Sequence, residues 1–327
     1  MMRRRAFTTL LGGAAAWPLV ARGQQTAMPV VGFLASTSPD GFTERRRKFS
    51  QGLKEQGFVE GENVAILYRF ADNQADRLPE LAADLVRRKV AVIATGGPPA
   101  TFAAQAATAS IPITFLVADD PVRLGFAASL SRPGSNMTGI NVFNAEVAAK
   151  RLELLRDLVP SVARIAVLAN AADAAMMETQ LGDVETAARA MALHIQMLKV
   201  DTTSDIDAAF KTFGRERPDA VFVTTSPFLN GRRIQLAQLA AFHHLPATYA
   251  LRDYVEAGGL MSYGSNIVEG YRQVGIYVGR VLKGAKPTDL PIVQATKFEL
   301  VINAQTARML DLTVPPSLLA IADEVIE

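Results

Sequence analysis

Apolar residues in this chain come in short unbroken runs, and each run is separated from the next by a stretch with helical spacing. Runs at 29–35 (PVVGFLA), 63–70, 91–94, 111–117 and 138–143 read as strands. Unbroken rather than alternating apolar character marks strands covered on both faces, as in parallel sheets. Between them, residues 42–57 carry Phe42, Phe49, Leu53 and Gly57 at near-helical intervals, and 78–86 carry Leu78, Leu81, Ala82, Leu85 and Val86. In 90–121 a run ends in Thr95-Gly96-Gly97, two prolines and an Ala-rich helix follow, and a second run ends in Asp119-Asp120-Pro121. That is one βαβ unit. A short helix is expected at 122–130.

A second series then begins. Strands are predicted at 164–169, 195–200, 220–224, 246–249, 260–263 and, finally, 297–302. Helices are predicted at 146–158, 176–193, 206–213, 232–243, 252–257, 268–282, 304–310 and 317–326. In the helix at 146–158, Lys150, Arg151, Glu153 and Arg156 are expected on the outer face. The fold class is therefore α/β: two doubly wound parallel-sheet lobes joined by a hinge, with helices on both faces. We expect the chain to cross between lobes at 143–145, near 262–266 and near 287–291. One lobe would hold 24–143 plus about 264–290, and the other 144–263 plus about 291–327.

The first residues stand apart from this pattern. Arg3, Arg4 and Arg5 precede an apolar Gly/Ala-rich segment at 10–20, followed by Ala21-Arg22-Gly23. This reads as a secretory signal peptide cleaved near Gly23, with Arg4-Arg5-Ala6-Phe7 fitting a twin-arginine pattern or a Sec signal with an extra arginine. The expected location is the periplasm. Removing 1–23 takes four arginines and no acid, which leaves 30 basic against 32 acidic residues. The apparent basicity belongs to the signal, so charge gives no argument for nucleic acid. No apolar run reaches the ~20 residues of a membrane span, so no membrane insertion is expected after cleavage.

The chain has no cysteine and three histidines, His194, His243 and His244, so Cys-ligated metals and Cys nucleophiles are excluded and no metal site is expected. No cofactor is expected either. The first strand is followed by Ser-Thr-Ser-Pro-Asp-Gly, which is not a dinucleotide fingerprint, and Walker and nucleophile-elbow motifs are missing.

In open parallel sheets ligands bind beyond the carboxyl ends of the strands. Those ends carry Ser36, Thr37, Gly96, Gly97, Asp119 and Asp120 in the first lobe, and residues 170–173 (notably Asn170), Thr225, Ser226 and Tyr263 in the second. Gly96-Gly97 would let backbone approach a ligand at a helix N-terminus, or simply form a tight turn with proline at the first helical position. Pro98 and Pro99 donate no N–H, so Thr101 is a candidate donor. Asp119 or Asp120 would accept from a ligand ammonium, or cap a helix before Pro121. Tyr263 would stack on a ligand or pack in the core. The Arg45-Arg46-Arg47-Lys48 cluster reads as a solvated helix face or, more sharply, a docking patch. No nucleophile–base pair stands out.

Several stretches resemble a known family. They are RRRAFTTLLGGAAAWP, VVGFLAST, RLPELAADLVRRKVAVIATGG, AKRLELLRDLVP, GGLMSYGSN, YRQVGIYVGRVLKG and the tail from TKFELVINAQ to ADEVIE. Together they are similar to the ABC-transporter substrate-binding proteins of tryptophan/tyrosine type, over essentially the whole chain. The resemblance implies a type I periplasmic binding fold and a small-molecule ligand, amino-acid-like or an aromatic carboxylate, clamped by hinge closure. It also implies delivery to an ABC permease with a separate ATPase. A monomeric, non-catalytic receptor is expected, against the alternatives of a sensor subunit for a membrane kinase or a periplasmic α/β enzyme.

Overall fold

The computed structural model describes residues 28–327 apart from 146, 172 and 173, with 174–179 described by their backbone. The signal segment lies outside the described residues. The first sheet has six strands, in the order β11-β5-β4-β3-β1-β2. They are β1 (Val30–Ala35), β2 (Ala65–Phe70), β3 (Val92–Gly96), β4 (Ile113–Val117), β5 (Met137–Asn141) and β11 (Val293–Gln294), all parallel. One face packs against α1 (Thr43–Glu55) and α10 (Ile267–Leu282) through Phe33, Phe42, Phe49, Tyr271 and Val274. The other packs against α2 (Leu78–Arg87) and α3 (Pro98–Ala107) through Leu34, Leu85, Ile93, Ala104 and Phe115.

The second sheet has seven strands, in the order β13-β12-β10-β9-β8-β6-β7. They are β6 (Arg164–Asn170), β7 (His194–Val200), β8 (Ala220–Val223), β9 (Ala247–Tyr249), β10 (Met261–Ser265), β12 (Phe298–Asn303) and β13 (Glu324–Ile326). On one face lie α4 (Ala148–Leu158), α5 (Ala174–Ala190), α11 (Ala304–Met309) and α12 (Pro316–Ile321). On the other lie α6 (Thr203–Glu216), α7 (Pro227–Gly231), α8 (Arg233–Phe242) and α9 (Arg252–Glu256). Among the described residues no helix is long and apolar enough to cross a membrane.

The alternation of runs gave these two cores, and the differences have local causes. Residues 122–130 form turns rather than a helix, because Asp120 Oδ1 accepts from Val122 N at 2.8 Å and closes a single turn. Residues 317–326 are not one helix: α12 stops at Ile321 and β13 pairs parallel with β12. β12 itself runs antiparallel to β10. The two-residue β11 adds to the edge of β5, so the third crossing falls between Gln294 and Phe298, later than the prolines at 287–291 suggest. Arg151 points inward rather than to solvent and is 1% exposed, with its guanidinium 4.6 Å from the centre of the Phe222 ring.

The first two crossings are bonded to each other. Ser265 N donates to Asn144 Oδ1 at 2.6 Å, Ser265 Oγ donates to the Val142 carbonyl at 2.6 Å, and Arg151 donates to the Asn144 carbonyl at 3.2 Å. These buried bonds join the strands leaving one lobe to the strand returning from the other.

Candidate functional site

The carboxyl ends of the two sheets face one another across a cleft of about 600 Å³, part of it continuous with solvent. Lobe one supplies Thr37 after β1, Gly96 and Gly97 after β3, and Asp119 after β4. Its two flanking helices add Arg45 from α1 and Tyr271 from α10, and Phe42 stands at the entrance to α1. Lobe two supplies Thr225 and Ser226 after β8, Pro227 and Asn230 from α7, and Leu251 before α9. Asn144, from the first crossing, closes the back.

The lobes touch. Arg45 Nη2 donates to Asp253 Oδ2 of α9 at 2.9 Å. Gln180 Nε2 of α5 donates to Asp119 Oδ1 at 2.7 Å and to the Thr225 carbonyl at 3.2 Å. A Cβ added at Gly97 would lie 2.7 Å from Pro227 Cγ, so backbone meets ring there without room for a side chain. The structure is thus a closed one.

Chemically the cleft is an aromatic and apolar chamber with one cation and one anion among its lining residues, Arg45 and Asp119, each about 6% exposed. Phe42 and Tyr271 meet edge to face at 5.1 Å between ring centres. Burial pushes the Tyr271 hydroxyl up to about 12, with the Arg45 charge acting against that shift, so the phenol is neutral at physiological pH. Thr37 Oγ1, Thr225 Oγ1 and Arg45 Nε are buried without a partner in the protein. Buried polar atoms are nearly always bonded, so these three stand ready for a polar solute or water. Among the described residues no cluster of His, Asp and Glu suits a metal ion.

Of the residues singled out from the sequence, Thr37, Gly96, Gly97, Asp119 and Ser226 line this cleft. Ser226 also caps α7, its Oγ accepting from Leu229 N at 3.0 Å. Ser36 and Asn170 sit instead in a smaller neighbouring recess with Asn73, Asp201 and Phe228, beyond the Gly97–Pro227 contact. Asn170 Nδ2 there donates to the Val200 carbonyl at 2.9 Å. Thr101 is fully buried and donates to the Gly97 carbonyl at 2.9 Å, which shapes the loop from beneath. Asp120 is spent on its turn. Tyr263 is away from the cleft and packs on Phe298 at 6.0 Å between ring centres. Asp173 lies outside the described residues.

The sequence reading missed the helix-borne lining residues, Arg45 and Tyr271, and Gln180, which braces Asp119 from the other lobe. Arg45 was hidden in a run of four cations whose other members face outward or pair locally, as Arg47 does with Glu44. The one available signal was helical phase: Arg45 lies four residues before Phe49, on the face that α1 buries.

A curated relative, a tyrosine-binding protein of Clostridioides difficile strain R20291, is 25% identical over 271 residues, 82% of this chain and 76% of its own. Among solved structures, an ABC domain in complex with L-Trp from Streptococcus pneumoniae superposes with a TM-score of 0.83 at 24% identity, covering 91% of this chain and 99% of that one. A ligand-free, open substrate-binding protein from Clostridium difficile gives 0.65 at 22% identity with the same coverages. These likenesses show the type I periplasmic binding fold. The family model described as "ABC transporter substrate binding protein" matches residues 30–326, and the chain belongs to that family.

Proposed function

We propose that this chain is an exported, non-catalytic solute receptor that closes on one small amino-acid-like or aromatic carboxylate ligand and presents it to an ABC permease driven by a separate ATPase. The observation that carries this reading is an interlobe chamber lined by Phe42 and Tyr271, one cation and one anion. An aromatic wall suits a planar side chain, and the paired charges suit a zwitterion. The relatives named for tyrosine and solved with L-Trp support the same class. So does the better superposition on the ligand-bound structure than on the open one.

In this reading a ligand that touches both lobes shifts the population toward the closed form by its differential affinity for that form. Residues 1–23 supply the export signal. No nucleophile with an adjacent base lines the chamber, and Thr37, Thr225 and Ser226 have no histidine beside them among its lining residues. Calorimetric titration of the mature chain with amino acids and aromatic acids is expected to show one-to-one binding. Silence across both classes would sink the proposal.

A further inference from the structure

We infer that Arg45 is the residue that recognises a ligand carboxylate, and that the same guanidinium latches the lobes through Asp253. This rests on the receptor reading above and assigns the chemistry of its chamber. Arg45 is the only cation among the chamber's lining residues, and its side chain is 7% exposed. Its Nη2 is committed to Asp253 across the lobes, while Nε is buried with no partner. Its carbon of charge lies 5.6 Å from the centre of the Phe42 ring, which also lines the chamber.

A guanidinium presents five donors in a fixed fork that matches carboxylate geometry. Burying such a group with a donor unmet is costly, and an anionic oxygen meeting it would be held by a charge-assisted bond. A neutral carbonyl could accept from the same donor, but without the ionic charge the bond would be about half as strong. Ligand and latch therefore share one side chain: a carboxylate that fixes the guanidinium also orients Nη2 toward Asp253, which is in reach only when the lobes are together. Asp119 lies on a different strand end of the same chamber and is held by Gln180, so the two charges can serve the two ends of a zwitterion.

The test uses the mature chain and four probes: L-tryptophan, L-tyrosine and their carboxamides, titrated by calorimetry. The wild type is expected to prefer the acids about tenfold or more, the range of a hydrogen bond to a charged group. Arg45→Gln is expected to abolish that preference. Asp253→Asn, which breaks the latch and leaves the guanidinium, is expected to weaken acid and amide alike and keep their ratio. Arg45→Lys, which keeps the charge without the fork, is expected to retain part of the preference, and reads the result if Arg45→Gln does not fold. An unchanged acid-to-amide ratio in the folded Arg45 variants would overturn the inference and leave the receptor reading standing. No binding of any probe to the wild type, together with silence across the wider panel of amino acids and aromatic acids, would overturn both.

Discussion

Gln180, on a helix of lobe two, donates at 2.7 Å to Asp119 at the tip of a strand in lobe one, and the same amide reaches the Thr225 carbonyl at 3.2 Å. The carboxylate is thereby satisfied at a place where closure removes water. Gln180→Ala is expected to weaken ligand binding about ten- to a hundredfold, the range of a lost bond to a charged group. Gln180→Glu should weaken it more, because two carboxylates would face each other at neutral pH. Acidification should restore that variant in part by protonating one of them. Small-angle scattering with and without ligand would follow the same order; equal affinity in all three proteins would refute the coupling.

Gly97 has φ of +90° and its α-carbon faces the Pro227 ring. With ψ at 158° this backbone is open essentially to glycine alone, so Gly97→Ala should cost about 1–3 kcal/mol from backbone strain and should also block closure. The two effects separate in the double variant with Pro227→Gly, which removes the ring and leaves the strain. Ligand affinity is expected to recover substantially in the double variant while the melting temperature does not. Recovery of neither, with the fold intact, would argue against the steric account.

Arg151 is a buried cation with no carboxylate paired to it among the described residues, and desolvation lowers its pKa to about 9. Unfolded, a guanidinium stays protonated to above pH ~12. Between these values the unfolded chain binds more protons, so this residue's penalty on the native state is full at neutral pH and shrinks as pH rises above about 9. In Arg151→Met that rise should be missing. Relative to the variant, wild-type stability in denaturant titrations should increase from pH 8 to pH 10. A parallel pair of curves would count against a buried, unpaired charge. The same variant frees the Asn144 carbonyl at the hinge, so its ligand affinity should change even if its stability improves.

Gly52 of α1 and Gly275 of α10 let the two helices approach until each α-carbon meets the other helix's backbone, Gly52 against the Arg272 carbonyl and Gly275 against the Phe49 carbonyl. A methyl at either place must push the helices apart and open the core around Phe49 and Val274. Gly275→Ala is expected to destabilise the chain by roughly 1–3 kcal/mol, the cost of overpacking, although alanine is the better helix former. A neutral or stabilising result by thermal melting would show that the helices can slide.

The strand–helix alternation was legible because strands covered on both faces are uninterrupted apolar runs, as at 29–35 and 111–117. β11 and β13 were not, since two or three residues carry no period and owe their strand geometry to a neighbouring edge. Loop members of the cleft such as Thr37, Gly97, Asp119 and Ser226 could be picked out because strand tips sit at predictable places in such sheets. Tyr263 misled because it lies inside β10 and turns away toward Phe298. Helical phase could have placed Arg45 on the buried face of α1, but Tyr271 joins the first lobe from far along the chain and Gln180 meets Asp119 only across the two lobes, long-range arrangements that no local pattern encodes.

The helix that completes the first lobe's core, α10, follows every strand from β6 to β10 in the chain. During synthesis, therefore, the earliest-made segment leaves the ribosome with the glycine side of α1 bare, and it stays unfinished until residue 282 has been added. The second lobe waits in turn for β12 and β13, which are made after α10, so neither lobe is complete until most of the chain has emerged and the usual unit-by-unit maturation is not open to it. A nascent chain halted anywhere short of α10 has no complete lobe to shelter its apolar surface.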